Sequence, residues 1–312
     1  MLRTSLSSAL ILCLAAATAL ADHGKGNVGG KTVSPQTLHE GDVSLEMGIR
    51  FQEARPLPDA FIIAQSAAGA DAHSADWLLE LSLGVAYGVS DRLTIAASLP
   101  FNYISNFRAS EDGVSILSAG HISGIGDLTV LGKFSLLSSP LDVAIVAGVK
   151  IPTGNTNRMD DSGAPLTSDH QPGTGTWDPI VGLAAGLSLD ERIILSASLT
   201  WHITIQGQAR FEPGDSALLA TKLQVQISSL GSFPRIYVTL ELALERTAKD
   251  SDAGILNSDS GGWVLSIGPG IRARFGDHLS VGVTLSRPLY QGLYGIQHHE
   301  ILELLAGVTI DF

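Results

Sequence analysis

From residue 43 onward one apolar side chain alternates with one polar or small one, and this period of two marks strands with two unlike faces. Val43, Leu45, Met47, Ile49 and Phe51 alternate with Ser44, Glu46, Gly48 and Arg50. Trp77, Leu79, Leu81, Leu83, Val85 and Tyr87 alternate with Leu78, Glu80, Ser82, Gly84 and Ala86. The pattern returns over 93–103, 128–136, 141–151, 177–189, 193–205, 219–227, 236–244, 263–275, 279–285 and 302–312, making twelve segments. Most are near the roughly nine to eleven residues of a tilted membrane strand. Downstream of residue 42 no run reaches the roughly 18 apolar residues that a spanning helix needs.

The connections alternate too. Short turns follow every second segment, at Ser90-Asp91-Arg92, Ser138-Ser139-Pro140, Asp190-Glu191-Arg192, Ser229 to Arg235 and Gly276-Asp277-His278. Between them fall longer polar loops at about 52–76, 104–123, 152–174, 207–217, 246–261 and 287–300. An even strand number with short turns at one end and long loops at the other predicts an all-β, transmembrane antiparallel up-and-down β-barrel of about twelve strands over residues 43–312. Closure follows because every backbone N–H and C=O in hydrocarbon must be paired, and only a closed ladder has no orphan edge. The last strand, ending at Phe312, is expected to close against 43–51 and to be the segment that the barrel-assembly machinery engages. With the short turns placed in the periplasm, Phe51, Trp77, Phe101, Tyr103, Trp177, Trp201 and Trp263 fall at outer strand ends. Tyr87, Phe134, Phe275 and Phe312 fall at inner ends, so two aromatic girdles are expected at the lipid interfaces.

Composition fits a lipid-facing exterior: 45% hydrophobic, 16% charged and a mean hydropathy of +0.25 without a long apolar run. The net charge of −12 argues against a nucleic-acid partner, which needs a basic surface. Residues 1–21 carry Arg3, an apolar stretch from Ala9 to Leu20 and the small-x-small site Ala19-Leu20-Ala21, the pattern of a secretory signal peptide. Its removal takes away Cys13, the one cysteine, so disulfides and thiolate chemistry are excluded in the exported chain. Residues 22–42 are polar and glycine-rich without periodicity, and read either as a periplasmic extension or as a lumen plug.

If the apolar set faces lipid, the opposite set lines the lumen. The candidate pathway residues are Arg50, Glu80, Asp127, Lys133, Lys150, Asp178, Lys222, Glu241, Arg272 and Arg274. Counting back from the tight turns sets Lys150 across from Thr129 and one diagonal from Asp127, with Asp178 at the same height. Lys222 falls opposite Glu241 or its neighbour, and Arg50 should meet Glu80 in the first hairpin. Such ladders either brace a narrow lumen or touch a permeant. Inward small residues, among them Gly48, Gly84, Ala86, Gly148, Gly186 and Gly282, leave room for a slim pathway.

No cofactor or metal is expected. His298-His299-Glu300 and the loop Asp160-Asp161…Asp169-His170 carry ligand-type side chains but no helix or defined metal spacing. No GxSxG elbow, HExxH or phosphate loop is present, and Gly124-Ile125-Gly126-Asp127 lacks the rest of a dinucleotide fingerprint. His202 lies near Ser198 and Thr200 on one inward face without a third orienting group, so an enzyme is not expected.

Three motifs resemble the outer-membrane barrel family associated with the meta-cleavage pathway of phenol degradation. They are Gly124-Ile125-Gly126-Asp127 with the strand to Phe134, Lys150-Ile151-Pro152-Thr153-Gly154-Asn155, and Gly173-Thr174-Gly175-Thr176-Trp177-Asp178. Their order and spacing over about residues 80 to 205 carry the likeness. The resemblance implies passage of small organic compounds, aromatic ones among them, across the bacterial outer membrane, with solute and outer-membrane lipid as partners. The expectation is therefore a channel for passive uptake; the alternative is a structural or surface-interaction barrel without transport.

Overall fold

The computed structural model describes residues 29–70, 72–110, 112–160, 163, 165–166, 170–207 and 210–312; the expected signal peptide, Asp161 and Asp169 lie outside the described residues. Thirteen main strands form the wall: β1 (Val43–Ala54), β2 (Trp77–Ser90), β3 (Leu93–Ala109), β4 (Leu117–Ile125), β5 (Leu128–Leu137), β6 (Leu141–Ile151), β7 (Asp178–Ser188), β8 (Ile193–His202), β9 (Ser216–Gln226), β10 (Arg235–Thr247), β11 (Gly262–Phe275), β12 (Leu279–Leu293) and β13 (Glu300–Asp311). β4 and β5 are two halves of one stave. β4 pairs the C-terminal part of β3 (Ile104 opposite Ile122) and β5 pairs its N-terminal part (Ile95 opposite Gly132), with the break at Gly126-Asp127. The result is a closed antiparallel barrel of twelve staves. β1 pairs β13 from Ser44 opposite Asp311 to Phe51 opposite Leu304, closing the ladder as expected.

Two of the expected loops, 104–123 and 287–300, are in large part strand. Residues 104–109 prolong β3 and 117–125 return as β4, while β12 runs on to Leu293. The ladder here carries register shifts at Ser105/Phe107, and Asn106 has φ 52°, so the alternation that reveals a strand is broken. In the loop between β1 and β2, helix α1 (Asp59–Ala67) turns Ile62 into the protein, and Arg108 holds Asp59.

The fold is inside out. Met47, Leu83, Trp177, Trp201, Tyr87, Phe134 and Phe275 are exposed, whereas Arg50, Glu80, Asp178, Glu241 and Glu303 are buried. Among the described residues, buried polar and charged side chains outnumber buried hydrophobic ones. In water each exposed Leu or Met would forgo roughly 1.5–3 kcal/mol of burial, and only hydrocarbon around the barrel recovers it. No helix among the described residues is long and apolar enough to cross a membrane; the strands supply the span.

Candidate lumen and its rim

The interior is occupied by the chain's own N-terminal segment. Residues 41–42 anchor it beside the short turn of β2 and β3, where Gly41 N–H donates to the Gly88 carbonyl and Gly88 N–H to that of Asp42, at 2.8 and 2.9 Å. Inside the wall, the segment's amides find side chains in place of a ladder. Leu38 N–H donates to Thr94 Oγ1 (2.8 Å), Val33 N–H to Ser198 Oγ (3.0 Å), and Thr32 and Lys31 N–H to the Glu241 carboxylate at 2.6 and 3.0 Å. Lys133 Nζ donates to the Ser34 carbonyl at 3.1 Å. Two apolar knobs complete the fit: Val33 packs with Leu131, Val146, Ile180 and Ala184, and Leu38 with Ala86 and Ala96.

Gly88, Gly186 and Gly282 of the wall make room for this segment. A Cβ on Gly88 would sit 1.9 Å from the His39 carbonyl oxygen, one on Gly186 would meet Pro35 Cγ at 3.1 Å, and Gly29 lies against the Gly282 carbonyl. Space that reads from sequence as an open path is thus filled by residues 29–39.

Of the candidate pathway residues, Asp127, Lys150 and Asp178 come together at the rim from which the long loops depart. Lys150 lies in register with Thr129 and Asp178, as the turn counting required. Its ammonium pairs with Asp178 and stands 3.9 Å from Asp127. Asp127 also accepts from Gly154 N–H (2.9 Å) through one oxygen and from Thr174 N–H and Oγ1–H (both 2.8 Å) through the other. Asp178 accepts from Ile205 N–H at 3.2 Å. Pro152, with no N–H to donate, marks where β6 leaves the ladder. Gly154 and Gly173 then pass so closely that a Cβ on either would lie 2.7 Å from the other's backbone. The three sequence motifs are one knot tying two long loops to the barrel mouth.

Lys222 stands opposite Glu241 in register, with Nζ 3.8 Å from Oε1. Arg50 is opposite Glu80 in register, yet its Nε bonds Glu303 Oε1 at 2.6 Å across the closing seam. Arg50 and Glu80 thus face each other across the first hairpin, while the direct ion pair of Arg50 lies on β13. Lys31 Nζ reaches the same carboxylate at 2.7 Å. Arg272 is buried and donates to Ser280 Oγ at 3.3 Å. Arg274 sits at the short turn between β11 and β12, 3.8 Å from Asp277, and so stands apart from the other candidates.

Above the lumen, three loops bring His73, His170 and His298 together around Phe107. Ring centroids of His73 lie 5.4 Å from His170 and 6.1 Å from His298, and Phe107 is 4.3 Å from His170. All four side chains are buried. Burial holds the His170 pKa well below the usual imidazole value and pushes that of His298 down to about 3. Among the described residues no group of side chains is arranged to hold a metal ion. Sequence reading singled out His170 and His298 but missed His73, and it left the path of Lys31 and Thr32 open between two alternatives.

A closed barrel with an apolar girdle and a charged interior defines the class: a bacterial outer-membrane β-barrel. The chain belongs to the family described as "Putative MetA-pathway of phenol degradation", whose pattern matches residues 86–290. It is similar in fold to the COG4313 outer membrane channel from Pseudomonas putida F1, at 19% identity and a TM-score of 0.62, over 89% of this chain and 97% of that one. A TodX mutant monoaromatic hydrocarbon channel (TM-score 0.47, 10% identity, 89% and 92% covered) and the CymD monoaromatic hydrocarbon channel (0.43, 12%, 88% and 89%) share less of its shape. No curated protein matches the chain significantly.

Proposed function

We propose that the protein is a channel for passive uptake of small organic compounds, aromatic ones among them, across the outer membrane. The observation that carries this reading is the polar, charged interior enclosed by an apolar wall. The family's description, with its reference to phenol degradation, supports the substrate class, and the fold's likeness to a protein described as a channel supports passage. In this reading Arg50, Glu80, Asp127, Lys133, Lys150, Asp178, Lys222, Glu241 and Arg272 face the route, and residues 29–42 act as its plug. Outer-membrane lipid and the assembly machinery, the latter through the strand ending at Phe312, are the proposed partners.

The reading assigns no catalysis. Ser198 and His202 lie four residues apart on one strand, about 13 Å at the usual strand rise, and the Ser198 hydroxyl is taken by Val33 N–H. A proton cannot pass directly between them.

The test is ion current through the purified full-length chain in planar bilayers, with phenol added to one chamber. Discrete conductance steps that phenol interrupts are expected. A lipid bilayer that stays silent at every voltage would overturn the channel reading and favour the alternative, a non-transporting structural or surface-interaction barrel, for which the densely occupied lumen already argues.

A further inference from the structure

Inside the barrel, four carboxylates gather around two fixed cations. Glu303 is bound on one oxygen by Arg50 Nε (2.6 Å) and approached on the other by Lys31 Nζ (2.7 Å). Glu245 and Glu300 are the next acidic neighbours of Lys31, and Glu80 faces Arg50. All four carboxylates are at most 7% exposed. One oxygen of Glu80 and one of Glu245 accept no hydrogen bond. A buried carboxylate without a donor is costly, so this nest is short of positive charge even with Lys31 in place.

We propose that the nest is a recognition site for an organic ammonium group and that Lys31 is its tethered occupant. The Lys31 side chain enters from the N-terminal segment, not from the wall, so the barrel itself presents an acidic socket whose filling is supplied by a separate piece of chain. With Arg50 holding one oxygen of Glu303, the other is left to a small cation that carries several N–H donors. An inorganic metal ion is the poorer fit, because no group among the described residues has metal-holding geometry. An anion would meet four carboxylates. The ligand class is therefore a primary alkylammonium, a short carbon chain ending in NH3+.

The inference goes beyond the channel reading and does not depend on it, since binding is measured whether or not anything passes. The experiment is calorimetric titration at pH 8 of n-propylammonium into the full-length chain in detergent, for wild type, Lys31→Ala and Lys31→Arg; n-propylammonium restores the atoms that Lys31→Ala removes. Heat-modifiable gel mobility verifies that each variant is a folded barrel. Lys31→Ala is expected to bind n-propylammonium at least tenfold more tightly than wild type or Lys31→Arg. n-Propanol should not bind, and Glu303→Gln added to Lys31→Ala should remove at least tenfold of the affinity. Equal affinity in Lys31→Ala and wild type, equal binding of propanol, or indifference to Glu303→Gln would each overturn the proposal. So would absence of ammonium binding to a folded Lys31→Ala barrel, which would mean that protons alone neutralise the socket.

Discussion

Acid should loosen the mouth of the barrel, and the histidines above the lumen set by how much. His298 is buried and its pKa falls from an ordinary 6.5 to about 3, chiefly because burial disfavours the charged ring, with His73 and His299 adding repulsion. His170 shifts the same way for the same reasons, burial first and His73 second. A folded-state value below the unfolded one means that the opened loops bind more protons between those two values. The packed arrangement thus keeps its full stability above pH 6.5 and loses it as pH falls toward 3. At about 1.4 kcal/mol per pH unit, His298 alone disfavours packing by about 2 kcal/mol at pH 5, a factor of roughly thirty in the opening equilibrium. Arg55 N–H donates to the His299 carbonyl at 2.7 Å and reports that opening directly. Hydrogen exchange in nanodiscs, corrected for intrinsic rates, should show protection at Arg55 falling at least thirtyfold from pH 7.5 to 5, and His298→Gln should remove a thirtyfold share of the fall. Equal pH dependence in wild type and His298→Gln would refute the reasoning.

Three further outcomes follow from other contacts. Lys150→Met strips the shared cation from Asp127 and Asp178, both buried; a loss of about 3–5 kcal/mol is expected, read as a lower unfolding midpoint in urea with detergent, while Lys150→Arg should lose less. Gly88→Ala places a methyl where the His39 carbonyl lies; the segment should be displaced, giving faster exchange at Leu38 and larger ion conductance, and unchanged values for both would contradict the close packing. Phe312→Ala removes an exposed ring while the backbone bonds between residues 312 and 43 remain. The yield of assembled barrel in cells should fall several-fold with the unfolding midpoint unchanged, whereas full yield would remove Phe312 from the proposed assembly contact.

The strands were legible because a barrel wall between lipid and a polar interior imposes one rule on every residue, apolar out and polar in, and twelve segments obey it. The Asp127–Lys150–Asp178 lock was legible as well, since tight turns fix register and register fixes which side chains share a level. Arg50 shows where that method stops. Its register partner was found, but the side chain chose a diagonal neighbour, Glu303, on the strand that closes the barrel, and register alone does not fix a long side chain's direction. β4 was missed because the irregularities around Asn106 and Phe107 break the alternation that sequence reading follows. The histidine cluster joins residues from three loops with no period between them, so only the fold could assemble it.

The N-terminal segment stayed open between extension and plug for a different reason, which also bears on how the lumen works. Beyond its anchor at Gly41 and Asp42, the segment's amides reach side chains such as Thr94, Ser198 and Glu241, while the Thr37 hydroxyl donates to the Asp91 carbonyl of the short turn. A strand recruited into the ladder must show period two; a segment held by scattered hydroxyls and carboxylates need show no period at all. The wall's ladder is complete without the segment, from β1 through to β13. Barrel stability and lumen occupancy are therefore separable properties of this chain. The hydrogen-bonded wall sets the first, and about ten residues resting on inward glycines and two apolar knobs set the second.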